Sequence, residues 1–239
     1  MKKRRMASIF KEPSKVSYEL AKSLKKGSKV LIVDGFDGWH VFPFVRAGHT
    51  VETYEPQSIF IDGGEIVEGN KSTNVDGLKK RIHVYNAKKK VKYFHKDFFR
   101  QKSVDTYDLV HVYKSLHRNC HGDMTMKHKI KKLQEAVNDH GEIYIYYHLA
   151  VNDEDDYTYP INQYLRTSEM ISYFNLNEWD IIHYQERNKL RIDYGHIGHT
   201  NPHLHRIGYI HAKRKKHIIR NDMRNYKYHF HIKIGNTYF

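Results

Sequence analysis

Apolar residues along the chain alternate between short continuous runs and wider, helix-like spacings. The run 29–33, Lys-Val-Leu-Ile-Val, is rich in β-branched residues and is typical of a strand buried on both faces. Similar runs predict further strands over 51–55, 91–94, 109–113, 143–148, 179–185 and 206–212. Between them, apolar residues recur at helical spacing, as at Ile130, Leu133 and Val137. The alternation predicts βαβ units and a mainly parallel sheet.

The predicted helices lie before and between these strands. They cover 17–24, 41–47, 77–88, 124–138 and 168–174. Pro43 fits the second helix only in its first turn, and Gly48 is suited to end that helix. Ser168 is suited to cap the last helix. The segment 59–70 shows no clear period and is hard to assign.

The last two strands are joined by a long polar loop, so they can pair antiparallel. No internal repeat and no linker rich in Pro, Gly or Ser divides the chain. We therefore expect one α/β domain over 1–215, with a Rossmann-like, mainly parallel seven-stranded sheet, an antiparallel last strand and helices on both faces. Residues 216–239 are expected to form a basic C-terminal extension.

The net charge of +14 is carried entirely by the two ends of the sequence. Residues 1–28 hold nine Lys/Arg against two Glu, and residues 209–239 hold eight Lys/Arg against one Asp, while 29–208 is neutral. Basic ends can attract a polyanion such as nucleic acid. They can also simply keep a protein in solution, and the sequence leaves both possibilities open.

Composition narrows the class of protein. The single cysteine, Cys120, excludes an intrachain disulfide and fits a reducing, cytoplasmic location. No apolar run approaches the length of a membrane span, and no apolar stretch follows the basic start as it would in a signal peptide. The expected protein is soluble, with no membrane partner.

Specific residues stand at the joints between the predicted strands and helices. The loop 34–38 follows the first strand, Glu55 follows the second, and Asp97-Phe98 follows the third. The fourth strand starts with Tyr-Asp-Leu-Val at 107–110, and Leu116-His117 follows it. The C-terminal third contains Ser-Glu-Met at 168–170, the segment from Trp179 to Glu186, and Ala212-Lys213. In this order, over about residues 15–215, the chain resembles class I S-adenosylmethionine (SAM)-dependent methyltransferases, and within them the tellurite-resistance branch.

The resemblance implies SAM as cofactor and assigns roles to the loop residues. Ligands of open α/β sheets lie beyond the carboxyl ends of the strands, where these loops meet. Glu55 would accept the ribose hydroxyls, and Asp97 would accept the adenine amino group beside the apolar ring of Phe98. The cofactor-binding set implied in this way is Asp34, Gly35, Gly38, Glu55, Asp97 and Phe98. Glu55 and Asp97 could instead be loop acids that cap neighbouring helices.

The first loop departs from the pattern of the family. On an ungapped alignment, Asp34 and Phe36 stand where the family has glycines, and Ile32 stands where it has an acid. Only Gly38 matches, and Gly35 is additional. Phe36 at a position of close backbone approach could fill the space of the methionine moiety. The loop is therefore either remodelled for SAM or no longer binds it.

Candidate substrate-facing groups follow the fourth strand, where this fold presents residues to the acceptor. Tyr113 and His117 could orient a nucleophile or accept its proton; Tyr113 could equally be a packing residue, with the intervening Lys114 solvated. The chain lacks the Asn/Asp-Pro-Pro-aromatic motif of amino-base DNA methyltransferases, and Cys120 is not preceded by proline as in cytosine-C5 enzymes. Four further histidines stand close together, but their spacing fits no closed zinc motif, and we expect no metal; they are His196, His199, His203 and His205.

Two functions from different classes follow. The first is a SAM-dependent methyltransferase acting on a small-molecule or metalloid acceptor. The alternative is a methyltransferase-like binding module with a degraded cofactor loop, whose basic ends engage nucleic acid or an acidic partner. Methylation of nucleic acid would combine the two. The loop 34–38 is the feature that separates them.

Overall fold

The chain, in a computed structural model that describes residues 8–68, 71–103, 105–150, 164–193, 203–216, 233–234 and 237–238, consists of alternating strands and helices. The helices are α1 (Lys15–Ser23), α2 (Val41–Ala47), α3 (Ser58–Asp62), α4 (Gly77–Val84), α5 (Met126–Glu135) and α6 (Glu169–Ser172). Short 3-10 helices cover Phe98–Arg100 and Asn119–His121. None of the helices in the described ranges has the length and apolarity that crossing a membrane requires.

The strands form one large sheet and two small hairpins. They are β1 (Lys29–Val33), β2 (Thr50–Tyr54), β3 (Gly64–Glu68), β4 (Lys71–Val75), β5 (Val91–Phe94), β6 (Tyr107–Tyr113), β7 (Val137–Leu149), β8 (Trp179–Glu186), β9 (Arg191–Asp193), β10 (His203–Arg214), β11 (Lys233–Ile234) and β12 (Thr237–Tyr238). The large sheet has the order β5-β2-β1-β6-β7-β10-β8, and β9 pairs with β10. The five neighbouring strands β5, β2, β1, β6 and β7 are parallel to one another, whereas β10 is antiparallel to both β7 and β8. The predicted Rossmann-like sheet with an antiparallel last strand is confirmed.

The core lies on both faces of the sheet, which explains the continuous apolar run of β1. Leu31 and Val33 belong to the buried cluster on one face, and Val30 and Ile32 to the cluster on the other. All four are at most 2% exposed. Each such side chain contributes about 1.5–3 kcal/mol by leaving water. The central strands are thereby fixed, and the loops at their carboxyl ends start from a rigid base.

The chain between β2 and α4 forms elements that the sequence pattern did not predict. Helix α3 ends at Gly63 (φ 86°), and β3 and β4 then pair antiparallel as a separate hairpin. A Cβ on Gly63 would lie 2.7 Å from the backbone oxygen of Val75, so this position excludes a side chain.

Several predicted boundaries and one predicted cap differ from the structure. Helix α5 ends at Glu135 rather than at 138, because Val137 already pairs with Tyr107 at the start of β7. Ser168 precedes α6 but does not cap it with its side chain: its φ is 63°, and its backbone N–H donates to Glu186 instead. At the start of α6, the side chain of Glu169 instead folds back, and its Oε2 accepts a hydrogen bond from the backbone N–H of Arg166.

Candidate functional site

The loop after β1 has an unusual backbone. Asp34 and Phe36 both have positive φ, 54° and 49°, and Gly38 follows at 89°. A left-handed conformation costs a residue with a side chain about 1 kcal/mol or more, so surrounding contacts must hold the loop in place. The N–H of Gly35 donates to the carbonyl of Tyr54, and the N–H of Gly38 to that of Gly35. The loop is thus pinned to the end of β2.

The glycines of this loop pack against the protein itself. A Cβ on Gly35 would lie 2.0 Å from Thr53 Oγ1, and a Cβ on Gly38 would lie 2.8 Å from side-chain carbons of Leu78 and Phe42. Both positions therefore need glycine for internal packing, whether or not a ligand approaches them.

Arg118, on the loop after β6, joins the loops that follow β1 and β2. Its Nη1 lies 3.2 Å from Glu55 Oε2 and 3.1 Å from Asp34 Oδ2, and its Nη2 lies 3.2 Å from Glu55 Oε1. Nη2 also donates to Gln57 Oε1 at 2.7 Å. Although burial alone would lower the pKa of Arg118, the Asp34 and Glu55 carboxylates outweigh it and raise that pKa. The guanidinium is a fixed positive charge shared by two buried acids.

Glu55 is saturated with hydrogen bonds. Besides the two contacts with Arg118, its Oε2 accepts from the N–H of Phe36 and its Oε1 from the N–H of Gln57, each at 3.0 Å. The side chain is completely buried. Glu55 therefore holds the backbone of the loop after β1 and of the loop after β2, and it also binds Arg118.

His121, in the short helix after Arg118, joins the first loop to the loop after β5. Its Nε2 lies 2.9 Å from Asp34 Oδ2, and its Nδ1 lies 3.1 Å from Asp97 Oδ1. Burial alone would lower the pKa of His121, but the hydrogen-bonded carboxylates outweigh it and raise this pKa to about 11. The ring is an imidazolium that donates one proton to each acid.

These five side chains, Asp34, Glu55, Asp97, Arg118 and His121, form what we call the ionic latch. Burial would raise the pKa of Asp34, yet Arg118 and His121 hold it below its usual value. Lys129 of α5 adds a third positive charge nearby and donates to the carbonyl of Leu116; its burial lowers its pKa to about 8. Arg100 also lies close, with its Nε 3.5 Å from Asp97 Oδ2, so the three acids of the latch face four basic side chains at the carboxyl edge of the sheet.

An aromatic cover lies over the latch. The ring of Phe36 packs against Phe10 and Phe60, with centroids 4.9 and 5.2 Å apart, and the guanidinium carbon of Arg118 lies 4.5 Å from it. The segment that carries Phe10 is tied down at Asp37, which accepts from the hydroxyl of Ser8 at 2.7 Å. The N-terminal segment therefore shields the first loop from solvent.

Comparison with known proteins identifies the architecture. No protein-family model matches the chain, and no curated protein matches its sequence. Solved structures do match: TehB from Haemophilus influenzae superposes with a TM-score of 0.60 at 14% identity, over 85% of this chain and 62% of that one. The chain has the class I methyltransferase fold. It spans less than two thirds of the TehB chain.

Two further methyltransferases share this fold. One is the 1,6-didemethyltoxoflavin-N1-methyltransferase of Burkholderia thailandensis with bound S-adenosylhomocysteine (TM-score 0.54, 11% identity, 84% of this chain and 78% of that one). The other is a SAM-dependent methyltransferase of Geobacter sulfurreducens, also in complex with S-adenosylhomocysteine (TM-score 0.52, 15% identity, 77% of this chain and 70% of that one). At such identities, the likeness is one of fold.

The residues predicted to bind the cofactor do not all lie together: the three acids meet in the latch, whereas Phe98 is buried in the core. Asp34, Glu55 and Asp97 converge on the latch, although Asp97 Oδ1 also accepts from the N–H of Phe99 and so caps the short helix there. Phe98 is completely buried and packs edge-on against Tyr54, so its ring offers no surface to a ligand in this conformation.

The two predicted substrate-facing residues lie in stacks of rings. Tyr113 is stacked on Tyr146 with centroids 4.6 Å apart, and His117 on His148 at 4.4 Å. Burial raises the pKa of Tyr113 to about 12 and lowers that of His117 to about 3. At neutral pH, the tyrosine keeps its proton and the imidazole is uncharged.

One cluster of potential metal ligands occurs in the part of the chain that the structure describes. Donor atoms of Asp34, Cys120 and His121 lie within 4.8 Å of one another. Because both nitrogens of His121 are hydrogen-bonded to carboxylates, the ring has no lone pair for a metal until a proton leaves. The geometry is that of an ion-pair network. Of the histidines considered from the sequence, His196 and His199 lie outside the described residues.

The basic partners of the acids were missed at the level of sequence. The motif Leu116-His117 drew attention to His117, yet the residues that touch the acids are Arg118 and His121. A usable signal was the requirement that buried carboxylates be paired, because two acids predicted to lie at one sheet edge need cations or donors nearby.

Proposed function

We propose that the protein is a SAM-dependent methyltransferase with a small-molecule or metalloid acceptor. The observation that carries the proposal is the convergence of Asp34, Glu55 and Asp97 at the carboxyl edge of a methyltransferase-fold sheet. SAM offers ribose hydroxyls and amino groups, which are donors that suit these carboxylates. When bound, SAM would supply an electrophilic methyl group.

The carboxylates suit the donor groups of the cofactor, but in this structure they already accept hydrogen bonds from the protein's own cations. Both oxygens of Glu55 accept from Arg118, and Asp34 is shared between Arg118 and His121. The second oxygen of Asp34, Oδ1, accepts no hydrogen bond from a described residue. The proposal therefore requires that Arg118 and His121 leave the acids when SAM binds, so that ligand donors replace the internal cations.

The protonation states of Tyr113 and His117 bear on which kind of methyl acceptor the protein can use. Tyr113 holds its proton at neutral pH, and His117, with a pKa of about 3, is a weak base. The chain would therefore act by aligning donor and acceptor and by excluding water. This favours an acceptor that is already nucleophilic at neutral pH, such as a thiolate, an amine or a metalloid oxyanion.

The proposal predicts that S-adenosylhomocysteine binds through Glu55 and Asp97. Calorimetry should detect binding by the full chain, and Glu55→Ala and Asp97→Ala should each weaken it at least tenfold, because each removes a carboxylate acceptor. Glu135→Ala, an exposed carboxylate on α5, is the control and should leave the affinity unchanged. No heat at millimolar ligand, or equal affinity in all four proteins, contradicts the proposal.

Phe36 gives a second test. The ring of Phe36 packs against the guanidinium of Arg118 and against Phe10, and so forms part of the aromatic cover over the first loop. Phe36→Gly removes this ring and relieves the positive φ, so S-adenosylhomocysteine should bind several-fold more tightly than to the wild type. Phe60→Leu replaces another ring of the cover by an apolar side chain and serves as the comparison. Weaker binding by Phe36→Gly would mean that the ring supports the cofactor.

The saturation of Glu55 favours a second candidate, a methyltransferase-like binding module in which the latch permanently replaces the cofactor. Its partner would then engage the basic stretches 1–28 and 209–239, and nucleic acid is the chemistry that such charge attracts. Absence of S-adenosylhomocysteine binding in the wild type and in latch variants alike would favour this candidate.

A further inference from the structure

A cavity of about 500 Å³ opens beside β7 and β10, and none of its lining residues is a latch acid. Its walls come from the end of β6, the middle of β7, the segment 189–192 and the start of β10. This size suits a small organic molecule, since ligand sites usually measure about 300–1,000 Å³. A bare oxyanion would fill only a small part of it.

Three cations line the cavity. They are Lys114 at the end of β6, together with Lys189 and Arg191 near and in β9, and among the described lining residues there is no carboxylate. Burial raises the pKa of Tyr146, and the positive charges of Arg191 and Arg187 oppose this rise, so both guanidinium groups act on the Tyr146 hydroxyl. These side chains give the cavity positive charge and several hydrogen-bond donors.

The rest of the wall is mostly apolar and aromatic, with one imidazole. It consists of Tyr146, Leu190, Ile192, His205 and Ile207, and the ring of Tyr146 is backed by Tyr113. Ile192 is 57% exposed, so its side chain is accessible to a ligand in the cavity. The cavity thus combines apolar surface with cationic hydrogen-bond donors.

We infer that this cavity binds a small organic anion, with its carboxylate or phosphate held by Lys114, Lys189 and Arg191 and its apolar body against Tyr146 and Ile192. The cations supply charge-assisted hydrogen bonds, and the apolar wall gives the affinity that a bare oxyanion would not gain. Lys114 also lies only four residues before Arg118, so the cavity adjoins the loop that carries the latch. Resting on the proposed function, the anion is the methyl acceptor.

The inference is tested by calorimetry with two matched pairs of probes, phenyl phosphate against phenol and benzoate against benzyl alcohol. The anionic member of at least one pair should bind at least tenfold more tightly than its neutral partner. Lys189→Gln and Arg191→Gln should each weaken binding of that anion about tenfold, while binding of the neutral probe is unchanged. Lys88→Gln, an exposed lysine before β5, is the matched control for loss of one positive charge.

The outcomes separate this inference from the proposed function. No binding of either anion at millimolar concentration, equal binding of neutral and anionic probes, or equal anion affinity in Lys88→Gln and the cavity variants overturns it. S-adenosylhomocysteine is titrated into the same proteins. Cofactor binding without anion binding removes only the present inference, whereas anion binding without cofactor binding removes the methyltransferase proposal and leaves an anion site.

Discussion

Replacing Arg118 by methionine is expected to lower the free energy of unfolding by about 3–5 kcal/mol and, at the same time, to strengthen the binding of S-adenosylhomocysteine. The loss of stability follows because Asp34 and Glu55 stay buried without their shared cation. The gain in affinity, of about tenfold or more, follows because the ligand no longer competes with a bidentate guanidinium for Glu55. Urea denaturation and calorimetry on the same protein measure the two effects.

A matched variant separates competition from general loosening. Arg214 is also a structural arginine; it donates to the carbonyls of Gln134 and Val137 and lies beside Trp179, at the opposite end of the sheet. Arg214→Met should destabilise the protein without any gain in ligand affinity. If Arg118→Met binds the ligand more weakly than the wild type does, Arg118 is a ligand-binding residue and the latch does not compete with the cofactor.

Stability is expected to rise with pH up to about 6.5 and then to fall between about 6.5 and 8. On the acid side, burial lowers the pKa of His111 and His117 to about 3, so only the unfolded chain binds their protons between about pH 3 and 6.5. On the alkaline side, His121, with a pKa of about 11, keeps in the folded state a proton that the unfolded chain releases above about 6.5. Each retained proton costs about 1.4 kcal/mol of stability per pH unit.

The fall should end near pH 8, since the folded chain then releases the proton of Lys129, whose pKa is about 8, while the unfolded chain still holds it. Between about pH 8 and 10.5, His121 lowers the free energy of unfolding as the pH rises and Lys129 raises it, so the two effects cancel. Urea denaturation at pH 5.5, 6.5, 8 and 9 measures the profile. His121→Gln should abolish the fall between 6.5 and 8, whereas the exposed His128→Gln should retain it. An unchanged slope in His121→Gln would show that the imidazole is not protonated in the latch.

The sequence predicted most of the fold because local patterns determine it. The bounds of β1, β5 and α2 match the apolar runs and the glycine at position 48, whose φ is 100°. The antiparallel final pairing followed from the long polar loop before β10. The β3–β4 hairpin was not predicted, since its apolar residues, Ile66, Val67 and Val75, do not alternate with polar ones as they would in a half-buried strand.

The site was predicted only in part. The acids could be placed because they directly follow strands whose ends meet at one edge. Their partners could not, because Arg118 stands 63 residues from Glu55, and His121 stands 87 residues from Asp34. Such pairs leave no local signal, and the chain between them forms several independent elements. The sequence also could not show that the glycines of the first loop serve internal packing.

The position of β10 between β7 and β8 has a consequence for how the protein is made. During synthesis, β8 (Trp179–Glu186) leaves the ribosome before the strand that joins it to the sheet. Until residues 203–214 follow, the edge of β7 lacks its partner, and the polar groups of β8 have no sheet to pair with. The domain therefore completes its sheet only after residues 203–214 have been made, and a ribosome stalled before residue 203 carries a chain with an open edge that promotes aggregation.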